Sequence, residues 1–157
     1  MGRPPPDAAD LDGMRRALDL ARRALERGEV PVGAVVATAG KVLAQAHNET
    51  VAGRDPTAHA ELLAIRLALA AAGSDRLTES TLYVTLEPCA QCAGAIVLAK
   101  VGRVVFGAFD PKAGMAGSVG DLLRHGALNH RPEVLGGVME EECGDLLRAF
   151  FQARREA

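Results

Sequence analysis

Two short segments of this 157-residue chain hold residue types that can do chemistry together. One is His59-Ala60-Glu61. The other, about 30 residues on, is Pro88-Cys89-Ala90-Gln91-Cys92. Cysteines three apart on a helix share one face. Near a helix start the macrodipole favours the thiolate, which is the form that ligates metal. Two thiolates and a neutral imidazole suit Zn²⁺. His59, Cys89 and Cys92 are therefore read as three zinc ligands, one ion per subunit. A structural zinc site closes with four protein ligands, whereas a catalytic one keeps a position for water. Such water has a pKa of about 7, so hydroxide is available at neutral pH. Glu61 is then the proton shuttle. Residues two apart on a helix point roughly 200° apart. His59 and Glu61 thus converge only off the helix's N-terminal end, toward which side chains lean. Cys143 recurs with Met139 and Leu147 at helical spacing and reads as a core thiol rather than a fourth ligand.

The elements that must hold these residues follow from apolar periodicity. Leu11, Met14, Leu18, Ala21 and Leu25 predict an amphipathic helix stopped by Gly28. Residues 32–37 and 42–46 flank Ala39-Gly40 as a hairpin. Residues 57–72 predict a helix ending before Gly73, and residues 81–86 a strand. Pro88 is expected at the first position of a helix running to about Lys100. Residues 104–106 predict a strand. Residues 110–128 predict a glycine-rich loop with a short helix near 120–125. Val134-Leu135 is a short strand, and Met139 to Phe150 gives a last helix. This order predicts an α/β fold.

Composition bounds the rest. Apolar residues make up 48% of the chain but aromatics only 3%, so Leu, Val, Ile and Ala must build the core. Residues 1–10, with Pro4, Pro5 and Pro6, are expected to form a disordered tail, and residues 11–157 a single domain. Three cysteines, two of them in C-x-x-C, argue against a secreted disulfide framework. No apolar run approaches the roughly 20 residues of a membrane span. A cytoplasmic protein is expected. The net charge of −2 gives no whole-protein attraction to nucleic acid, so any such contact needs a local basic patch.

Beyond the metal segments, several blocks resemble the bacterial tRNA-specific adenosine deaminases, members of the cytidine deaminase-like zinc deaminases. They are Glu-Val-Pro-Val-Gly-Ala-Val at 29–35, Asp-Pro-Thr-Ala-His-Ala-Glu at 55–61 and Thr-Leu-Tyr-Val-Thr-Leu-Glu-Pro-Cys at 81–89. Gly-Arg-Val-Val-Phe-Gly-Ala at 102–108, Ala-Gly-Ser at 116–118, Asn-His-Arg at 129–131 and Phe150-Phe151 continue the likeness. The resemblance implies a three-layer α-β-α sandwich around a mixed five-stranded sheet. It implies a homodimer acting on a tRNA anticodon stem-loop, converting adenosine to inosine at the wobble position. Zinc-activated water would attack C6 of adenine, with Glu61 moving the protons and the base splayed from its loop. It also implies that Asn48 contacts the base and that Glu29, Val30, Leu86, Ala108 and Asp110 line the nucleotide pocket. Phe151, Arg154 and Arg155 would touch the anticodon stem-loop. Asp110 before Pro111 also reads as a turn starter, and Asn48 as a cap. Phe109, Glu49 and Pro111 depart from the family's pattern, and Phe109 is expected to stack on a flanking base. The rival readings are a deaminase of a free base or nucleoside, of guanine or cytosine type, and a non-catalytic zinc-stabilised RNA-binding protein.

Overall fold

The computed structural model describes residues 5–156. In chain order its elements are α1 (Ala8–Glu26), β1 (Gly33–Thr38), β2 (Lys41–His47), α2 (Ala60–Ala72), β3 (Ser80–Leu86), α3 (Ala90–Leu98), β4 (Arg103–Ala108), β5 (Glu133–Leu135) and α4 (Glu140–Glu156). The strands form one sheet in the order β2-β1-β3-β4-β5. β1 is antiparallel to β2 and β3, while β3, β4 and β5 are parallel. The sheet is therefore mixed and five-stranded, as expected.

Alternation along the strands divides the interior into two cores. Ala34, Val36, Leu82, Val84, Val104 and Phe106 face one side and meet α2 and α3 through Ala64, Ile65, Ala68, Ala93 and Ile96. Val35, Tyr83 and Val105 face the other, against Met14, Ala17 and Leu18 of α1 and Cys143 of α4. Register keeps like with like: Ala34 pairs with Val84, and Val84 with Phe106. With almost no aromatic bulk, the layers must approach closely. Gly33 shows this directly, since a Cβ there would sit 2.0 Å from the Ala17 carbonyl oxygen of α1. The three-layer sandwich follows.

Four expectations are corrected. The helix starts at Ala8, inside the expected tail, because Asp7 and Asp10 form a reciprocal capping box. Met1 to Pro4 lie outside the described residues. The second helix starts at Ala60 rather than Thr57. Asp55 captures the Thr57 amide and hydroxyl at 2.9 and 2.6 Å, which holds Thr57 in a turn. Pro88 lies one residue before the N-cap of α3 instead of inside the helix, since Cys89 is the cap and is extended. No helix forms at 120–125. There Asp121 takes the Arg124 amide and His125 takes the Ala127 amide, so local side chains replace helical bonds.

Candidate active site

Two helix starts meet at the carboxyl end of β3. His59 is the N-cap of α2 and Cys89 the N-cap of α3, both extended, with φ/ψ of −78°/148° and −77°/179°. An extended cap turns its side chain away from the helical spiral, so the 200° separation of a regular helix does not apply to His59 and Glu61. Gln91 joins the two starts by donating from Nε2 to the Thr57 carbonyl at 3.0 Å. The result is a group of three donors, His59, Cys89 and Cys92, all within 4.8 Å of one another. Among the described residues no fourth histidine, cysteine or carboxylate joins them. Cys143 is a core thiol on α4, packed against Gly107 of β4, and burial pushes its pKa up to about 12.

The spacing fits zinc. Tetrahedral bonds of about 2.3 Å to sulfur and about 2.0–2.1 Å to nitrogen put N and S about 3.6 Å apart. The Nδ1 of His59 lies 3.5 Å from each cysteine Sγ. Within the group, a hydrogen bond from the Cys92 thiol, followed by the neighbouring imidazole, pulls Cys89 down to about 4. The Cys92 thiol, donating to Cys89, is pushed upward, and His59 is raised by its bond to Cys89. Glu61 is 4% exposed, and burial lifts its carboxyl to about 7, where it exchanges protons readily near neutrality.

His59, Glu61 and Cys89 open on a cavity of about 400 Å³, lined also by Val30, Asn48, Leu86, Asp110 and Phe151 among the sequence-predicted residues. Asn48 is 7% exposed. Its Oδ1 accepts the Ala60 amide at 2.8 Å, which turns its Nδ2 donor toward the cavity. Asp110 caps a turn by accepting the amides of Lys112 and Ala113, so its turn-forming reading holds beside its place on the wall. Ala108 and Phe109 line an adjoining apolar cleft of about 550 Å³ that shares Val30, Leu86, Asp110 and Phe151 with the first. Phe109 is 47% exposed and packs edge-on against Phe106, centroids 5.1 Å apart. Arg154 and Arg155 lie apart from the metal ligands. With Lys112, Arg148 and Phe151 they line a cleft of about 480 Å³, and Arg154 stacks on Phe150 at 5.0 Å.

Glu29 does not line the cavity with its carboxylate. Both oxygens are committed to the loop after β2, accepting from the amides of Val51 and Ala52 at 2.9 and 2.8 Å and from the Thr50 hydroxyl. Burial opposes its charge, but these bonds prevail and keep its carboxyl below the usual range. Sequence reasoning missed Gln91 and Glu87. The sequence signals for Glu87 are its place in the 81–89 block and its charge between an apolar strand and Pro88. Glu87 is 2% exposed and gathers the segment 110–118 around itself.

A mixed sheet with two helix starts supplying one imidazole and two sulfurs beside a buried carboxylate defines a zinc-dependent hydrolytic deaminase. Residues 8–108 match the family described as the cytidine and deoxycytidylate deaminase zinc-binding region. The tRNA-specific adenosine deaminase of Bacillus subtilis is 51% identical over 143 residues, covering 91% of this chain and 89% of the relative. That of Haemophilus influenzae is 48% identical, covering 91% and 83%. A solved structure from work on A-to-I editing by tRNA:A34 deaminases at the wobble position superposes with a TM-score of 0.83 at 44% identity, over 87% of this chain and 99% of that one. A guanine deaminase from Nitrosomonas europaea superposes with 0.80 at 26% identity, over 94% and 87%. This chain belongs to the cytidine and deoxycytidylate deaminase zinc-binding family, in the branch of the tRNA-specific adenosine deaminases. No described helix is long and apolar enough to cross a membrane.

Proposed function

We propose that this protein hydrolyses adenosine to inosine at the wobble position of a tRNA anticodon, as a cytoplasmic homodimer. The observation that carries the reading is the buried Glu61 facing the same cavity as His59 and Cys89, two of three donors spaced for zinc. Its relatives' names supply the substrate. The basic cleft of Lys112, Arg148, Arg154 and Arg155 supports a polymeric one, because it provides the local positive patch that the acidic chain as a whole lacks.

Zinc held by His59, Cys89 and Cys92 would acidify water enough for attack at neutral pH. Glu61 is placed to take a proton from the attacking water and pass it to the ring nitrogen beside C6 as the new C6–O bond forms. It then passes the remaining hydroxyl proton to the amine as the C6–N bond breaks, so water and adenosine become inosine and ammonia. Asn48 Nδ2 donates to a purine nitrogen and fixes the base in the plane. Val30 and Leu86 cover the base with apolar surface and keep bulk water from it. Phe109 and Phe151 offer faces on which flanking bases stack.

The test is incubation with a synthetic anticodon stem-loop, with inosine read by sequencing. Inosine at the wobble adenosine is expected. Ammonia from free guanine or cytosine without inosine in RNA would instead make the chain a free-base deaminase.

A further inference from the structure

We propose that Glu87 is a positioning residue that sets one lip of the substrate cavity relative to the zinc-ligating end of α3. The inference rests on the deaminase reading above and concerns RNA binding at the same site.

Glu87 stands between β3 and Pro88, two residues before Cys89, and its amide donates to the Ala108 carbonyl at 2.9 Å. A buried carboxylate needs compensation. Here all of it comes from neutral donors of one segment. Oε1 accepts the Asp110 amide at 3.0 Å and the Ser118 hydroxyl. Oε2 accepts the amides of Ala116 and Ser118, each at 3.0 Å. Four bonds fill the acceptor capacity of a carboxylate, so no free lone pair is left for substrate or proton transfer. The segment is also shaped to receive it. A Cβ on Gly114 would sit 2.3 Å from the Glu87 carboxyl carbon, so only glycine fits there. The Met115 amide donates to the Pro88 carbonyl at 2.8 Å and fastens the segment again beside the ligand cysteine.

The held segment has no helix or strand of its own between Asp110 and Ala116, yet it supplies Asp110 to the cavity and Lys112 to the basic cleft. Local turn bonds, such as that from the Gly114 amide to the Asp110 carbonyl at 2.9 Å, shape the segment, and the Glu87 carboxylate ties it to the end of β3. Glu87 borders the cavity, but its oxygens are all engaged, so it acts on substrate binding through the placement of residues 109–112.

The test compares the full-length zinc-loaded protein with Glu87→Gln, Ser118→Ala and Gly114→Ala, using an anticodon stem-loop as substrate. Glu87→Gln replaces one acceptor with an NH₂ that opposes the amides it meets. Ser118→Ala removes one bond and keeps the carboxylate. Gly114→Ala disturbs the same contact from the other side. KM is expected to rise roughly 10- to 100-fold in Glu87→Gln and about threefold in Ser118→Ala, with much smaller changes in kcat and one zinc retained per chain. Gly114→Ala should share that pattern. If Glu87→Gln does not fold, the other two variants decide. Unchanged KM in both Ser118→Ala and Gly114→Ala, or loss of kcat and zinc with KM unmoved, would overturn the role. If the unaltered protein makes no inosine in the stem-loop, it is the assigned activity that fails instead.

Discussion

The side-chain oxygen of Asn48 accepts the backbone amide of Ala60 at 2.8 Å, so the cap of α2 comes from a residue twelve positions upstream. His59, the formal N-cap, makes no side-chain capping bond and is free for metal. One amide thus serves the helix with its oxygen and the cavity with its nitrogen. Asn48→Asp keeps the acceptor and loses the donor. It should fold with a near-normal melting temperature and lose most inosine formation. Asn48→Ala loses both, with stability reduced by about 1–2 kcal/mol. Thermal unfolding beside an inosine assay separates the two effects.

Glu61 is the next test. Glu61→Gln should keep one zinc per chain and lose roughly 10²- to 10⁴-fold in kcat, the range for removing a positioned acid–base group. Metal analysis and single-turnover rates check this. A rate equal to that of the unaltered protein would remove the proton-shuttle role, whereas no turnover in either protein would favour a non-catalytic zinc protein.

Removing the metal should act on both function and stability. Dialysis against a strong chelator is expected to abolish turnover and lower the melting temperature, since a ligand that binds only the folded state stabilises it by mass action. Adding Zn²⁺ back should restore both. Cys92→Ser, which replaces a fully buried ligand, should resist that restoration.

The pH dependence of stability should be visible at Asp10. A side-chain bond from Arg103 is the chief cause that holds its carboxyl below the usual range, against the cost of burial; Tyr83 also donates to it, at 3.2 Å. A carboxyl depressed in the folded state stabilises above its unfolded pKa of about 3.9 and loses that contribution as pH falls through the folded value. Denaturation midpoints should therefore decline on acidification below about pH 4. Arg103→Ala strands a buried carboxylate, with a cost of about 3–5 kcal/mol at neutral pH. In that variant the acid-side decline should largely vanish, which denaturant midpoints across pH would reveal.

Phe109 should matter for RNA and little for folding. Its ring is half exposed on the apolar cleft and meets Phe106 edge-on. Phe109→Ala is expected to weaken stem-loop binding by about 1–3 kcal/mol. Equal affinity in a filter-binding titration would remove the stacking role.

The chemistry was legible in the sequence because cysteines and histidine at such spacing have few other uses. The sheet was legible too, since Leu82, Val84, Val104 and Phe106 alternate faces as period two requires. Helix starts were less so. Asp55 and Asp121 divert nearby amides through their side chains, and periodicity carries no trace of that competition. Glu29 illustrates a different limit. Its type and block suggested contact with substrate, but a carboxylate that supports a loop and one that meets a ligand look alike in one dimension. Glu87 and Gln91 stayed hidden because their partners lie 23–31 and 34 residues away.

Arg103 opens β4 and Ala108 closes it, so the Asp10–Tyr83–Arg103 cluster and the apolar cleft adjoining the cavity occupy opposite ends of one strand. Durability and reactivity are thereby anchored at separate poles of the molecule. Repacking around Tyr83 offers a way to make the protein hardier while leaving its chemistry alone.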